Sequence, residues 1–123
     1  MKKLIFAMCM VLMFSTSANA GSSLGNYLSA VSGNKLVDFW GEAKKDGEGK
    51  KCEAVKAGVY WGYILGIAEA FNLTVFELPD PTETKQLSAV VGKWLENHPE
   101  EWNKPAIELV IKALQTAFPL KKK

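Results

Sequence analysis

The sequence predicts an all-α fold, a compact four-helix domain around one central helix that carries a ridge of glycines. Residues 51–72 have the composition of one long helix, two later segments repeat apolar residues at helical spacing, and no segment has the pattern of a strand. From Ala57 to Ala68 the central segment carries no charge. This uncharged run is shorter than the roughly 20 residues that cross a bilayer. We therefore expect the central helix to be buried by its neighbours.

Small residues recur at every fourth position of the central segment, where they share one ridge of the helix surface. They are Ala54, Gly58, Gly62, Gly66 and Ala70. Because a glycine inside a helix costs about 1 kcal/mol relative to alanine, three of them indicate a packing role. We expect another helix of the same chain to cross this ridge closely. A homodimer seam on the same ridge is the alternative.

Residues 1–20 have the pattern of a secretory signal peptide. Lys2 and Lys3 precede the apolar run LIFAMCMVLMF, and Ala-Asn-Ala at residues 18–20 supplies a small-x-small cleavage pattern. The apolar run is too short for a membrane anchor. We expect export and cleavage before Gly21, with no membrane association afterwards. The lysine-rich start and the lack of a further membrane segment favour the bacterial periplasm.

The expected mature chain, residues 21–123, is formally neutral. Without the two lysines of the signal it holds 13 lysines against 13 acidic residues, and it has no arginine. Nucleic-acid-binding proteins usually have a clustered basic face, so the composition argues against nucleic acid as a partner. Cys52 is the one cysteine left. It is therefore buried, free or paired between chains, and we expect it to be buried or free.

The first part of the mature chain is expected to order weakly. Residues 21–33 are rich in Ser and Gly and precede the predicted helical domain of residues 34–119. Asn34 is the predicted cap of a first helix that ends near Lys45. Residues 46–50 then break the chain with two glycines, and the central helix follows.

The second half of the chain predicts two further helices. Two prolines in residues 73–81 end the central helix. Thr82 is the predicted cap of the third helix, and the last helix runs from about Pro105 to Pro119. Residues 120–123 form a basic tail. Apolar residues at helical spacing predict the core stripe of each of these helices. The first helix has Leu36, Val37, Trp40 and Ala43, and the third has Leu87, Val90, Val91, Trp94 and Leu95. The last helix has Ile107, Val110, Ile111, Leu114 and Phe118.

No catalytic, metal or cofactor site is visible in the sequence. His98 is the only histidine, and its place beside Pro99 favours the structural role of ending one helix and capping the next. Cys52 has lysines near it but no evident activating base, so a reactive thiolate is not established. No Cys/His spacing suggests zinc. We therefore expect a protein that is not an enzyme and that binds neither cofactor nor metal.

Two stretches resemble the Tai-type (Rap/Tai) immunity proteins of type VI secretion. Gly62 to Ala70, GYILGIAEA, is similar to their G-Y-x-x-G-x-x-[DE]-A segment. Residues 86–119 resemble their C-terminal half through Q-x3-V-V-x3-L-x2-HP, then PA, LV, AL and AFP. The resemblance covers residues 36–119, and the HPE with the downstream AL and AFP is its most specific part.

The resemblance implies a periplasmic protein that neutralises a peptidoglycan amidase delivered by rival or sister cells. Such proteins are helical, often dimeric and not enzymes, and they block the cysteine–histidine active site of the effector by binding over it. Many relatives carry cysteines at the places that Tyr60 and Glu77 occupy here. Both cysteines are missing together, which fits the loss of a disulfide and leaves the rigidity of the loop open.

Elimination of the core stripes leaves the loop of residues 76–82 and the start of the third helix as the predicted partner-binding surface. Phe76 is the expected apolar anchor, because loops held by a rigid scaffold often carry binding residues. The other predicted residues are Glu77, Asp80, Thr82, Glu83 and Lys85. Three of these are carboxylates, which would present negative charge to an active site that contains a histidine.

The second function that the sequence allows is a periplasmic chaperone or stress protein without one dedicated partner. Small exported helical domains of mixed charge also serve that role. Stoichiometric binding to an amidase encoded nearby would favour the immunity protein. Broad binding of clients at low pH would favour the chaperone.

Overall fold

Four α-helices make up the part of the chain that the structure, a computed structural model, describes, residues 31–122. We label them α1 (Gly33–Gly47), α2 (Ala54–Phe71), α3 (Thr84–Asn97) and α4 (Ala106–Ala117). A 3-10 turn, Pro99–Glu101, joins α3 to α4, and strand pairing within this part is limited to isolated bridges. The predicted all-α, four-helix fold is confirmed. The predicted signal peptide and residues 21–30 lie outside the described residues.

The helices begin at positions slightly different from those predicted. Ser32, not Asn34, caps α1, and its Oγ accepts a hydrogen bond from the Lys35 amide at 3.3 Å. Thr82 does not cap α3; its hydroxyl donates to the Pro79 carbonyl, and Glu83 occupies the cap position. None of the helices in residues 31–122 is long and apolar enough to cross a membrane.

Backbone hydrogen bonds join residues 31–33 to the turn before α4. The Gly33 amide donates to the Lys104 carbonyl at 2.8 Å, and the Ala106 amide donates to the Val31 carbonyl at 2.9 Å. A side chain on Gly33 would meet Leu109 Cδ1 at 2.5 Å, so only glycine fits at this crossing. Residues 31–33 are therefore held in place, although we expected weak order up to residue 33.

All four helices and the α2–α3 loop contribute to one core. Tyr60 of α2 is fully buried, and its hydroxyl donates to the Ser88 carbonyl at 2.8 Å. Burial raises the pKa of Tyr60, so the phenol stays neutral. The buried apolar residues are Leu36, Ala43, Ala57, Tyr60, Ile64, Ile67, Ala68, Phe76, Leu87, Val91, Leu95, Ala106, Leu109, Val110, Ala113 and Leu114.

The apolar stripe of α4 is rotated from the predicted one. Val110 and Leu114 are buried as expected, but Ile107 lies on the outer face. Leu109 occupies the core position instead, where it packs close to Gly33. Ile107 and Leu109 each fit a helical period with the other apolar residues of α4. Sequence spacing alone therefore does not show which of the two faces the core.

Within residues 31–122, the glycine ridge of α2 packs against no other helix, contrary to the expected close crossing. Gly58, Gly62 and Gly66 are exposed, and a Cβ built on any of them would meet nothing within 4 Å. The close helix crossing is made instead by Gly92 of α3. A Cβ on Gly92 would overlap the ring of Trp40 in α1.

Trp40 also takes part in a polar clamp between α1 and α3. Its Nε1 donates to Glu96 Oε1 at 2.9 Å, and Lys44 Nζ donates to the same oxygen at 2.9 Å. The hydrogen bond from Trp40 is the largest cause, and the one from Lys44 the next, of a pKa of the Glu96 carboxyl below its usual value. The clamp fixes the indole above the bare backbone of Gly92.

We predict opposite effects for alanine at two glycines that both lie inside helices. Gly92→Ala should lower the free energy of unfolding by about 1–3 kcal/mol, because the Trp40 ring must move. Gly41→Ala is the matched control. Its Cβ would enter open space, so it should raise the free energy of unfolding by about 0.5–1 kcal/mol. Urea unfolding measures both, and an unchanged Gly92→Ala protein would contradict the crossing.

Candidate functional site

The loop between α2 and α3, residues 72–83, is held to the domain by its own backbone and by Asn72. The Asn72 side-chain oxygen accepts a hydrogen bond from the Leu78 amide at 3.0 Å, across the base of the loop. The Leu73 amide donates to the Phe76 carbonyl at 2.7 Å. The Glu77 amide donates to the Phe118 carbonyl at 3.1 Å, which joins the loop to the end of α4. The loop is therefore a fixed structure without a disulfide.

Phe76 is not the exposed anchor that the sequence predicted. Its side chain is fully buried and belongs to the core, and its backbone forms bridges with Asn72 and Pro119. Truncating a buried Phe costs about 3–5 kcal/mol of stability, so a loss of binding in Phe76→Ala would reflect unfolding. From the sequence, Phe76 is simply an apolar residue in a loop. Its burial depends on the end of α4, which lies against the loop at Pro119.

Leu73 is the apolar residue that the loop presents to solvent. It is 71% exposed. Its φ of 65° lies in the left-handed region, which costs a residue with a Cβ about 1–2 kcal/mol. The adjoining hydrogen bonds hold this conformation. An exposed leucine on a strained backbone is a candidate binding position, and the sequence gives no signal for it.

The predicted polar residues lie around the same loop. Asp80 and Glu83 are exposed, and Thr82 is half-buried beside Pro79. Glu77 points away to the C-terminal segment, where its carboxylate accepts a hydrogen bond from the Lys121 amide at 3.3 Å. Lys85 is exposed on the first turns of α3. The structure therefore places Asp80 and Thr82 at one cleft beside Leu73, leaves Glu83 outside its lining, and directs Glu77 elsewhere.

A cleft of about 450 Å³ opens beside Leu73. Its walls are the end of α2 and the loop itself, and Leu65, Leu73 and Leu78 supply apolar surface. Glu69 and Asp80 add two carboxylates, and no lysine lines it. The cleft lining is Leu65, Ala68, Glu69, Asn72, Leu73, Leu78, Pro79, Asp80, Thr82 and Leu87. Glu69 was not predicted, because the sequence does not show that the end of α2 borders the loop.

His98 occupies the helix junction that the sequence indicated. It ends α3 and precedes the 3-10 turn that Pro99 begins. Its ring stacks on Trp94 with the centroids 4.1 Å apart, and its Nδ1 donates to the Trp94 carbonyl at 2.7 Å. These contacts account for a structural role of His98.

Cys52 is a half-exposed free thiol before α2. Its Sγ lies 3.7 Å from Asp46 Oδ1. Desolvation first, and the Asp46 carboxylate second, raise the pKa of the Cys52 thiol, which disfavours the reactive thiolate. Within residues 31–122, no three His, Cys, Asp or Glu side chains are placed to hold a metal ion.

The comparison with protein-family models identifies the family. No curated protein matches the chain. The model that describes Rap1a immunity proteins matches residues 21–120. This range includes all four helices and the α2–α3 loop. An immunity protein acts by binding a cognate effector. The chain belongs to the Rap1a immunity protein family.

Proposed function

We propose that the protein is a periplasmic immunity protein that binds and blocks a peptidoglycan amidase delivered by type VI secretion. Family membership supports immunity against an effector. The Tai-type resemblance of residues 62–70 and 86–119 supports the amidase, and the signal-like residues 1–20 support the periplasm. The α2–α3 loop carries the proposal, because it presents an apolar tip and carboxylates on a fixed backbone.

The loop suits an obstructing role. Leu73 would enter the active-site groove of the amidase, where full burial of a leucine side chain contributes about 1.5–3 kcal/mol. Glu69 and Asp80 beside it would face the cysteine–histidine site and attract a protonated imidazole. Because the loop is already fixed by hydrogen bonds, little conformational entropy is lost on docking. Inhibition then needs no chemistry from the immunity protein.

The same feature favours this function over the chaperone. A chaperone that binds many clients needs adaptable apolar surface, whereas this loop has one exposed leucine held by the backbone. The direct test is co-expression with the amidase encoded beside the gene. A stoichiometric complex and protection from lysis support the immunity protein. No complex and no protection, with broad client binding at low pH, would overturn it.

The outer face of α2 supports a homodimer as part of this proposal. Gly58, Gly62 and Gly66 lie exposed along it, flanked by Val59 and Leu65. Bare backbone permits close approach of a second helix, and the uncharged face is complementary to itself across a two-fold axis. The packing reason for the glycines, which residues 31–122 do not supply, would come from a second copy.

For the loop, we predict that Leu73→Ser weakens binding to the cognate amidase by about 2 kcal/mol or more without unfolding the domain. Val55→Ser is the matched control, because Val55 is 81% exposed at the other end of α2. Calorimetric titration gives the affinities, and thermal melting checks the fold. Equal affinities for Leu73→Ser, Val55→Ser and wild type would place the interface elsewhere.

For the α2 face, we predict that Gly62→Arg converts the dimer into a folded monomer. The side chain meets nothing within the described residues 31–122 at its Cβ but blocks close approach of a second helix. Gly41→Arg adds the same side chain at an open position on α1 and should leave the dimer intact. Sedimentation velocity distinguishes the states. A wild-type monomer, or a dimer in both variants, would contradict this seam.

A further inference from the structure

A small cavity lies where α1, α2 and the first turns of α3 meet. Its volume is about 120 Å³, and Trp40 and Trp61 line it. On α2, Trp61 lies one helical turn before Leu65 of the loop cleft, and on α3 Ser88 of the cavity follows Leu87 of the cleft. The cavity therefore continues the surface of the α2–α3 loop. The lining residues are Trp40, Ala43, Lys44, Gly47, Trp61, Lys85, Ser88 and Ala89. We call it the tryptophan cavity.

The tryptophan cavity and the loop cleft carry charges of opposite sign. Glu69 and Asp80 line the cleft, and no lysine does. Lys44 and Lys85 line the tryptophan cavity, and no acidic residue does. Lys44 Nζ is already paired with Glu96 Oε1 at 2.9 Å. Lys85 forms no ion pair within residues 31–122, so it is the cation left for a partner.

Lys85 also begins an exposed ridge of α3 that leads away from the loop. Lys85, Ala89 and Lys93 follow one another at four-residue spacing, so they share one side of the helix, and all three are exposed. Lys93 has no ion pair in the described part of the chain either. The next carboxylate along α3, Glu96, is engaged by two hydrogen bonds from α1. This lysine ridge therefore presents two cations about 12 Å apart along the helix.

The α2–α3 loop is too small to form an interface with an effector alone. A stable protein–protein interface takes about 20–30 residues from each partner, which is more than residues 72–83 contain. Phe76 within the loop is buried and contributes no surface. The interface must therefore extend beyond the loop. The tryptophan cavity and the lysine ridge meet the loop at the start of α3, so a partner that docks on the loop reaches them.

The walls and the charges of this surface select a protein segment that is both aliphatic and acidic. A cavity of about 150 Å³ with apolar walls accommodates a benzene-sized molecule, so the smaller tryptophan cavity accommodates one aliphatic side chain. Carboxylates on either side of that side chain would pair with Lys85 and Lys93. An anionic membrane is a poorer match, because recognition of its lipids takes clusters of about 4–8 lysines or arginines.

We propose that an acidic segment of the effector docks on this surface, with an aliphatic side chain in the tryptophan cavity and carboxylates on the lysine ridge. The inference rests on the proposed function and names the part of the effector that the α3 side of the interface takes. The acidic cleft faces the cysteine–histidine site, and the basic ridge faces the acidic segment. Charges of opposite sign at the two ends of the interface fix the effector in one orientation.

The test measures the affinity of charge variants for the amidase encoded beside the gene. Lys85→Glu and Lys93→Glu should each weaken binding about tenfold at low salt, because each places like charges opposite one another. This loss should shrink at high salt, where charges are screened, whereas a folding defect would not respond in that way. Lys35→Glu is the matched control and should bind as wild type does. Lys35 is exposed at the start of α1 and has no ion pair within residues 31–122.

A third variant tests the tryptophan cavity itself. Ala89→Phe places a ring on an exposed residue of the lining and should weaken binding about tenfold with the melting temperature unchanged. If Leu73→Ser weakens binding while all three α3 variants bind like Lys35→Glu, the loop interface stands and this inference is overturned. If the wild-type chain binds no amidase, both proposals fall. Sedimentation with phosphatidylglycerol vesicles that is lost in the two lysine variants would assign the ridge to a membrane and overturn the inference.

Discussion

The burial of Phe76 is the constraint on which the candidate site depends. With this ring in the core, the loop backbone bridges Pro119, and the Glu77 amide bonds to the Phe118 carbonyl. The segment before it must then turn tightly, and Leu73 takes the left-handed conformation that carries its side chain outward. One buried aromatic ring therefore fixes both the position of the loop and the residue that it exposes. A disulfide, which the sequence lacks at residues 60 and 77, is not needed for this.

Helical periodicity predicted most of the fold and the buried residues Leu87, Val91 and Leu95 of α3, but it did not predict the packing of the glycine face of α2. The four helices and the loop between α2 and α3 follow from spacing, glycine breaks and prolines. The ridge of Gly58, Gly62 and Gly66 was assigned to the interior, whereas Gly92 makes the crossing with Trp40. Both patterns are small residues in a helix. Only the placement of the neighbouring helices distinguishes them.

Most polar residues of the predicted surface lie on the α2–α3 loop, but the expected apolar anchor Phe76 is buried. Asp80, Thr82 and Glu83 lie at the predicted loop, because prolines and polar residues mark it in the sequence. Phe76 is buried and Leu73 is exposed, the reverse of what the apolar pattern suggests. This depends on contacts between the loop and the end of α4, which is distant from the loop in sequence. The loop and the outer face of α2 carry the two proposed tasks, effector binding and self-association, and Leu65 borders both surfaces.

Hydrogen exchange on the complex with the cognate amidase tests the central claim most directly. Amides that the effector covers exchange more slowly, so the footprint maps the interface by backbone position. The account predicts added protection in residues 72–83 and at the end of α2, and none on the outer face of α4. Protection confined to α4, with exchange in residues 72–83 unchanged on binding, would contradict it.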